Sequence, residues 1–223
     1  MLLHENEYRI VFEKTGRLKF ISHLDLLRTM QRILARAETP VDYSQGFNPH
    51  PLMVFALPLS VGMESVCELL DIRTTRAIDC EKEKDAINGT LPEGLHVKEI
   101  YQATRKPSEV KYAEYIIALD YGSESENAKA NELLQTLFTQ PVTVIKKTKS
   151  GEKETDITPM IRRVKSELVE GRVRMKIICY AGNDNYLNPT YALRALDERM
   201  GKECADTRML RTRIFDEKGK EFR

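Results

Sequence analysis

The chain of 223 residues has no closely spaced cysteine pair. Its four cysteines lie far apart, at Cys67, Cys80, Cys179 and Cys204. That spacing argues against an iron–sulfur cluster or a structural zinc site, so we expect no metal and no cofactor in this chain. Scattered thiols are typical of a reducing compartment, and we therefore expect a cytoplasmic protein.

Long apolar runs are also missing. No segment approaches the roughly 20 apolar residues that a helix needs to cross a bilayer. The amino terminus, MLLHENEYRI, lacks a basic start followed by an apolar stretch, so we expect no secretion signal. The sequence therefore predicts no membrane partner.

Several catalytic and binding motifs are absent. There is no GxxxxGK[ST] loop for a nucleoside triphosphate and no GxSxG turn for a nucleophilic serine. The RNP pattern of RNA-recognition modules is missing as well. These absences leave no motif-based assignment to an enzyme class.

Charge is nearly balanced overall, at +1, but two neighbourhoods are basic. From Arg9 to Arg36 there are seven basic residues against two acids, and from Lys146 to Lys176 there are ten against five. Such neighbourhoods suit a polyanion, although solvated faces also produce them. Nucleic acid is the polyanion that we consider first.

The order of apolar patterns predicts an α+β protein made of two tandem ferredoxin-like (βαββαβ) units with antiparallel sheets. We place the first unit at residues 1–106 and the second at 107–223, because the strand–helix–strand–strand–helix–strand order restarts after RKPSEVKY. In the second unit, VTVIKKTKSGEKETDI is typical of a hairpin around Ser150 and Gly151.

The first helix has a clear start signal. Ser22 can cap it, and Asp25 stands three residues later, where a capping-box acid belongs. The helical spacing predicts a buried stripe of Leu24, Leu27, Met30, Ile33, Leu34 and Ala37. Arg28, Arg32 and Arg36 fall at i, i+4 and i+8, so we expect them to line one exposed face.

The stretch SQGFNPHP, residues 44–51, combines stiffness with recognition chemistry. Gly46 permits positive φ, while Pro49 and Pro51 restrict the residues that precede them. A stiff connector would explain the glycine and the prolines but not the side chains between them. Since a stiff loop loses little entropy on binding, we expect it to be a recognition surface.

These patterns predict an RNA-binding surface in the first unit. The candidate residues are Arg17, Lys19, His23, Arg28, Arg32, Arg36, Tyr43, Gln45, Phe47, Asn48 and His50. We expect no catalytic residue in this set. The alternative is a metal-independent endoribonuclease in which His23 and His50 act as general acid and base on a ribose 2′-hydroxyl.

Residues 16–72, GRLKFISHLDLLRTMQRILARAETPVDYSQGFNPHPLMVFALPLSVGMESVCELLDI, resemble the bacterial radical-SAM-linked domain of unknown function. NPTYALRALDERMG and RTRIFDEKGKEF resemble the carboxy-terminal signature of that family. Family members occur as free-standing proteins and fused behind radical SAM enzymes, and they tend to accompany genes of RNA metabolism. Because this chain lacks the three closely spaced cysteines of a radical SAM cluster, the resemblance implies that a separate enzyme supplies any radical step.

The sequence and the resemblance together predict a substrate-recruiting accessory protein. It would bind structured RNA, either tRNA or rRNA, and work with a radical SAM enzyme in trans during RNA modification. A third reading is a protein-interaction module that docks on that enzyme through the same loop.

Overall fold

The computed structural model describes residues 5–148, 151–182 and 185–223. The chain divides into two compact units. Unit 1 comprises Met1–Val110 together with Arg223, and unit 2 comprises Lys111–Phe222.

Unit 1 follows the order strand, helix, strand, strand, helix, strand. Its elements are β1 (Glu7–Lys14), α1 (His23–Arg36), β2 (Met53–Phe55), β3 (Met63–Arg73), α2 (Cys80–Asn88) and β4 (Leu95–Gln102). The strands pair in the order β4–β1–β3–β2, and each pair is antiparallel. A short 3₁₀ helix, Gly16–Phe20, connects β1 to α1.

Alternation in β1 produces the core of unit 1. Tyr8, Ile10 and Phe12 are buried on one face of the sheet, as period-2 spacing requires. They pack in one cluster with buried residues of α1, among them Met30 and Ile33.

Helix α1 begins where the sequence predicts. The Ser22 Oγ accepts a hydrogen bond from the Asp25 N–H at 3.1 Å, so the predicted cap is confirmed. One position of the predicted stripe is wrong: Leu24 is 60% exposed, and Leu26 is buried instead. At about 100° per residue, Leu26 lies on the same side as Met30 and Ile33, whereas Leu24 points away from them.

Unit 2 repeats the pairing pattern around an inserted hairpin. Its elements are β5 (Tyr112–Asp120), α3 (Glu124–Thr136), β6 (Thr143–Thr148), β7 (Gly151–Asp156), β8 (Ile161–Val169), β9 (Arg172–Tyr180), α4 (Thr190–Met200) and β10 (Asp206–Phe215). The main strands pair in the order β10–β5–β9–β8, all antiparallel.

The predicted hairpin is the pair β6–β7. Of the two residues that we expected at its turn, Gly151 opens β7, and Ser150 lies outside the described residues. The pair forms a separate two-stranded sheet.

Strand β8 was not predicted from the sequence. Its sequence, IRRVKSELV, alternates charged and less polar residues rather than showing an apolar run. Edge strands tolerate such polar sequences because one side of their backbone has no strand neighbour. The next strand, β9, is the one that carries the buried residues Val173, Met175 and Ile177.

The predicted α+β class with antiparallel strands is confirmed. Among the described residues, no helix is long and apolar enough to span a membrane.

Candidate functional site

The Ser44–His50 loop is closed on itself by hydrogen bonds. The Ser44 N–H donates to the His50 carbonyl at 2.9 Å, and the His50 N–H donates to the Ser44 Oγ at 3.1 Å. The same Oγ lies 2.8 Å from the His50 Nδ1. Ser44 therefore ties both the backbone and the ring of His50.

Backbone contacts anchor this loop to the end of β3. The Asp42 N–H donates to the Arg73 carbonyl at 2.8 Å, and the Arg73 N–H donates to the Leu52 carbonyl at 2.9 Å. The Leu52 N–H completes the set by donating to the Asp42 carbonyl at 2.8 Å. The base of the loop is thus built into sheet-like pairing.

The tip of the loop presents its side chains to solvent. Phe47 is fully exposed, at 112% of its reference area, and Tyr43 is 48% exposed. Gly46 has φ 127°, a conformation that a residue with a side chain rarely adopts. The other predicted recognition residues of this segment, Gln45, Asn48 and His50, are also exposed.

His23 lies at the first position of α1 and contacts Phe55. The two ring centroids are 5.1 Å apart in an edge-to-face arrangement. His50, by contrast, is tied to Ser44, so the two histidines have different immediate partners. Their use as a general acid–base pair stays a prediction.

The predicted arginine stripe on α1 is exposed but partly engaged. Arg28 lies 3.7 Å from Asp25, and the Arg36 guanidinium donates to the Thr90 carbonyl at 3.1 Å. Arg32 is exposed. Because exposed ion pairs of this kind contribute little, these cations are available to an incoming phosphate.

Arg17 and Lys19 flank the start of α1 on the 3₁₀ helix. Arg17 is exposed, and the Lys19 Nζ lies 5.2 Å from the centroid of the Phe20 ring. Phe20 is itself 65% exposed, so this cation–aromatic pair faces solvent.

Two members of the first basic neighbourhood are not surface residues. Arg9 and Lys14 are 0% and 1% exposed. Arg9 forms a two-point ion pair with Asp71, at 2.6 and 2.7 Å, and donates to the Arg105 carbonyl at 2.7 Å. Part of the basic excess in this neighbourhood therefore serves the fold.

The structure also shows a basic surface that the sequence reading did not name. Arg163, Lys165, Lys176 and Arg213 line a shallow cavity of about 320 Å³ on the sheet of unit 2, with Glu114 among them. Two features of the sequence could have pointed to this basic surface: the second basic neighbourhood and the alternation of IRRVKSELV. Neither identifies a face until the strand pairing is known.

Glu114 is the acid of this surface. It accepts two hydrogen bonds from Arg213 at 3.0 Å each and one from the Thr212 hydroxyl at 2.8 Å, and it lies 3.0 Å from the Lys176 Nζ. Burial favours its neutral form, but these hydrogen bonds outweigh burial and hold the pKa of Glu114 below its usual range.

Metal-ligand chemistry is sparse. Among the described residues, no three or more His, Cys, Asp or Glu side chains converge as a metal site would require. The four cysteines, all of which lie within the described residues, are not joined in disulfide bonds.

Comparison with known proteins gives a family but no activity. A family model described as "Uncharacterized protein conserved in bacteria (DUF2344)" matches residues 7–189. No curated protein matches the chain.

Two solved structures are similar to the chain at low sequence identity. A chain from the "Crystal Structure of a Cbf5-Nop10-Gar1 Complex" is 11% identical with a TM-score of 0.50, over 94% of this chain and 50% of that one. The chain thus spans about half the length of that protein, and the likeness concerns the fold alone. An unknown protein from Galdieria sulphuraria is 12% identical with a TM-score of 0.26, over 92% of this chain and 98% of that one.

Proposed function

The chain belongs to the bacterial family DUF2344, and from the chemistry of its surface we propose that it is an RNA-binding accessory protein. In this proposal it recruits a structured RNA, either tRNA or rRNA, to a separate radical SAM enzyme that modifies it. The protein acts in the cytoplasm and needs no cofactor of its own.

The observation that carries the proposal is Phe47 at the tip of a closed loop. A fully exposed phenylalanine adds no hydrophobic stabilisation to the free protein, since its ring is not buried. The hydrogen bonds between Ser44 and His50 hold the loop in place before binding. A preorganised aromatic side chain of this kind is suited to contact a partner with little loss of entropy.

RNA fits this loop better than other ligands because of what accompanies Phe47. Unstacked bases in RNA loops stack on aromatic side chains, and amides such as Gln45 and Asn48 can pair with base edges. Arg17, Arg28 and Arg32 are exposed cations in the same unit and can neutralise phosphates.

We also propose that both units are ferredoxin-like. The strand order β4–β1–β3–β2 of unit 1 and the order β10–β5–β9–β8 of unit 2 support this assignment. In each unit the outer strands flank the first and third strands of the pattern. The hairpin β6–β7 is then an insertion in unit 2.

The radical SAM partner rests on the resemblance of the SHLDL and GFNPHP segments. The described thiols do not converge with other ligands, which is consistent with an enzyme in trans that holds its own cluster. A reconstitution with the candidate enzyme and an unmodified RNA tests this part. Modification should be faster with this protein than without it, and an equal rate would overturn the recruiting role.

Charge reversal on α1 tests the RNA-binding part. We expect Arg28→Glu with Arg32→Glu to weaken binding of bulk tRNA across sequences and to flatten the dependence of the affinity on salt. Lys129→Glu with Arg199→Glu, on α3 and α4, makes the same charge change elsewhere and serves as the control. If both double variants weaken binding equally, α1 is not the contact surface.

A protein-docking role is the second candidate, and one observation favours it. Phe20, Leu24 and Val61 are exposed by 57–65%. The Gly62 N–H donates to the Lys19 carbonyl at 2.7 Å, which places Val61 next to the 3₁₀ helix that carries Phe20. Co-purification with a radical SAM enzyme that survives ribonuclease treatment and is lost in Phe20→Ser would support docking.

A further inference from the structure

The sheet of unit 2 has one face covered by helices and one face open. Tyr115, Ile117 and Ile177 are buried on the covered face, where α3 packs against β8 and β9. Because side chains alternate along a strand, the residues between them point to the opposite face. That open face is formed by β10, β5, β9 and β8, and Arg163, Lys165 and Arg213 are exposed on it.

Two lysines face each other across β8 and β9. Lys165 and Lys176 are direct partners in the antiparallel register. Like charges directly opposite each other destabilise a sheet. In the same strand pair, Glu167 and Arg174 are also direct partners and form an ion pair at 2.7 Å. The Lys165–Lys176 pair therefore destabilises the sheet locally, whereas the neighbouring Glu167–Arg174 pair does not.

Acid neutralises only part of this basic surface. Glu114 pairs with Lys176 and Arg213. Arg163 and Lys165 are exposed and have no ion-pair partner among the described residues. The surface therefore keeps an excess of positive charge on a rigid sheet.

An aromatic row crosses the same face at one end. Phe215 pairs in register with Tyr112, and Tyr112 pairs with Tyr180, so the three rings lie on adjacent strands. The centroids of Tyr112 and Tyr180 are 4.9 Å apart.

Guanidinium groups lie over two of these rings. The Arg162 Cζ is 4.8 Å from the Tyr112 centroid, and the Arg213 Cζ is 5.7 Å from the Phe215 centroid. Both aromatic rings and guanidinium planes are surfaces on which nucleic-acid bases stack.

The basic residues border an extended groove rather than a single anion pocket. The cavity of about 320 Å³ that ends at Phe215 adjoins a second cavity of about 550 Å³ that ends at Glu167 and Arg174. The two cavities share Lys165 and Lys176. An elongated ligand can therefore follow the strands from the aromatic row past both lysines.

We infer that the open sheet face of unit 2 binds single-stranded nucleic acid. Lys165, Lys176, Arg163 and Arg213 neutralise its phosphates. Its bases stack on the Tyr180 ring and on the guanidinium planes that lie over Tyr112 and Phe215. This site lies in the other unit from the Ser44–His50 loop and stands even if that loop binds nothing. The ligand supplies negative charge to Lys165, whereas Lys176 already has Glu114 as an ion-pair partner.

Single-stranded nucleic acid explains features that other polyanions do not. An acidic peptide would neutralise the lysines but would leave the aromatic row without a stacking partner. A duplex exposes phosphates but keeps its bases stacked on each other. Phosphates and free base faces occur together in a single strand, and sheets with basic and aromatic residues are known platforms for it.

Binding of the full chain to a labelled oligouridylate of about 12 nucleotides tests the inference, a length within the roughly 4–16 nucleotides that OB-fold domains of single-strand-binding proteins cover. Lys165→Glu with Lys176→Glu should weaken binding by about tenfold or more and reduce the salt slope by about 1.4, the value for two phosphate contacts at 0.7 each. Lys129→Glu with Arg199→Glu, on the helices, should leave the affinity within about twofold, since those residues make no phosphate contact.

A neutral substitution separates stacking from charge. Tyr180→Leu should weaken binding about fivefold or more while the salt slope stays the same, because a ring contributes no counterion release. If the double glutamate variant does not fold, Lys165→Gln with Lys176→Gln provides the milder charge test.

Three results would overturn the inference. The first is equal weakening by the helix control and by the lysine variant. The second is an unchanged affinity in both Tyr180→Leu and Lys165→Gln with Lys176→Gln. The third is competition by polyglutamate or by duplex RNA as strong as that by the unlabelled oligouridylate. Loss of tRNA binding in Phe47→Ala, with oligouridylate binding intact, would separate this site from the loop.

Discussion

Arg9 and Asp71 form an ion pair in the core of unit 1. Both side chains are buried, and the guanidinium binds the carboxylate through two nitrogens at 2.6 and 2.7 Å. A buried ion pair adds little net stability over an apolar pair, but the loss of one partner leaves a charge without compensation. The pair therefore constrains which residues unit 1 tolerates at these two positions.

We expect Asp71→Asn to lower the free energy of unfolding by about 3–5 kcal/mol, because Arg9 would stay buried without its carboxylate. Chemical denaturation measures this change. The exposed pair Lys82–Asp79, at 3.5 Å, provides the control, and Lys82→Ala should cost less than about 1 kcal/mol. If the two variants lower the free energy of unfolding equally, burial does not determine how much the loss of an ion-pair partner destabilises the protein.

Glu114 makes stability depend on pH. Hydrogen bonds from Arg213, Lys176 and Thr212 outweigh its burial and lower its pKa in the folded state. The stabilisation from a carboxyl with a lowered pKa is present above its ordinary pKa, near 4.5, and is lost as pH falls through the folded value. Glu114→Gln should therefore be less stable than the wild type at neutral pH.

The difference between the wild type and Glu114→Gln should narrow as the pH falls below about 4.5. Urea denaturation of both proteins across that range measures it. A difference that stays constant, or grows as the medium becomes more acidic, would contradict the lowered pKa of Glu114.

Much at this scale could not be predicted from the sequence. Arg9 counts toward the first basic neighbourhood in the sequence, yet its partners lie 62 and 96 residues away, at Asp71 and Arg105. Local spacing contains no information about such distant contacts. The capping role of Ser22 was predictable because its partner, Asp25, is three residues away.

At the scale of elements, the Ser44–His50 loop combines a rigid base with an exposed tip. Its base pairs with the end of β3, and the Ser44 hydroxyl fixes His50. The glycine and prolines of this segment predicted stiffness, and the hydrogen bonds identify one further cause of it. A recognition surface at this loop requires Phe47 to be exposed, and it is, although phenylalanine is more often buried.

Ser44→Ala should loosen the loop without unfolding the protein. The substitution removes the acceptor for the His50 N–H and the contact with its ring. We expect bulk tRNA to bind about threefold to tenfold more weakly, because the loosened loop would become ordered only on binding and its loss of entropy would then oppose binding. The free energy of unfolding should change by less than about 0.5 kcal/mol, since the site is exposed.

Ser44→Thr keeps the hydroxyl and is the matched control, so it should bind as the wild type does. Fluorescence anisotropy with labelled tRNA measures all three proteins. If Ser44→Ala binds like the wild type while Phe47→Ala does not, the order of the loop has no role in recognition.

Strand β8 shows a limit of predicting secondary structure from sequence. Because β8 contains many charged residues, its sequence lacks the apolar pattern that predicts a strand. Its pairing with β9 in the structure is what places Arg163 and Lys165 on one face with Lys176. The periodic patterns of β1, β5 and β9 were sufficient because those strands bury one face. An edge strand with polar side chains gives no comparable signal.

At the scale of the whole molecule, we propose a nucleic-acid-binding surface in each of the two units. Unit 1 contributes an exposed loop and the arginines of α1, and unit 2 contributes a basic and aromatic sheet face. The net charge of +1 does not indicate either surface, because 35 basic and 34 acidic residues nearly cancel over the whole chain. The distribution of charge, rather than its sum, is consistent with a polyanionic partner.

The most direct test of RNA binding is a titration of bulk tRNA at increasing salt with the wild type and Phe47→Ala. We predict that the wild type binds more tightly than about millimolar and that its affinity falls steeply with salt. Phe47→Ala should bind about fivefold or more weakly with the same salt slope, because the variant loses a stacked base but no phosphate contact. Binding weaker than about millimolar, or an affinity that does not respond to salt, would contradict the account.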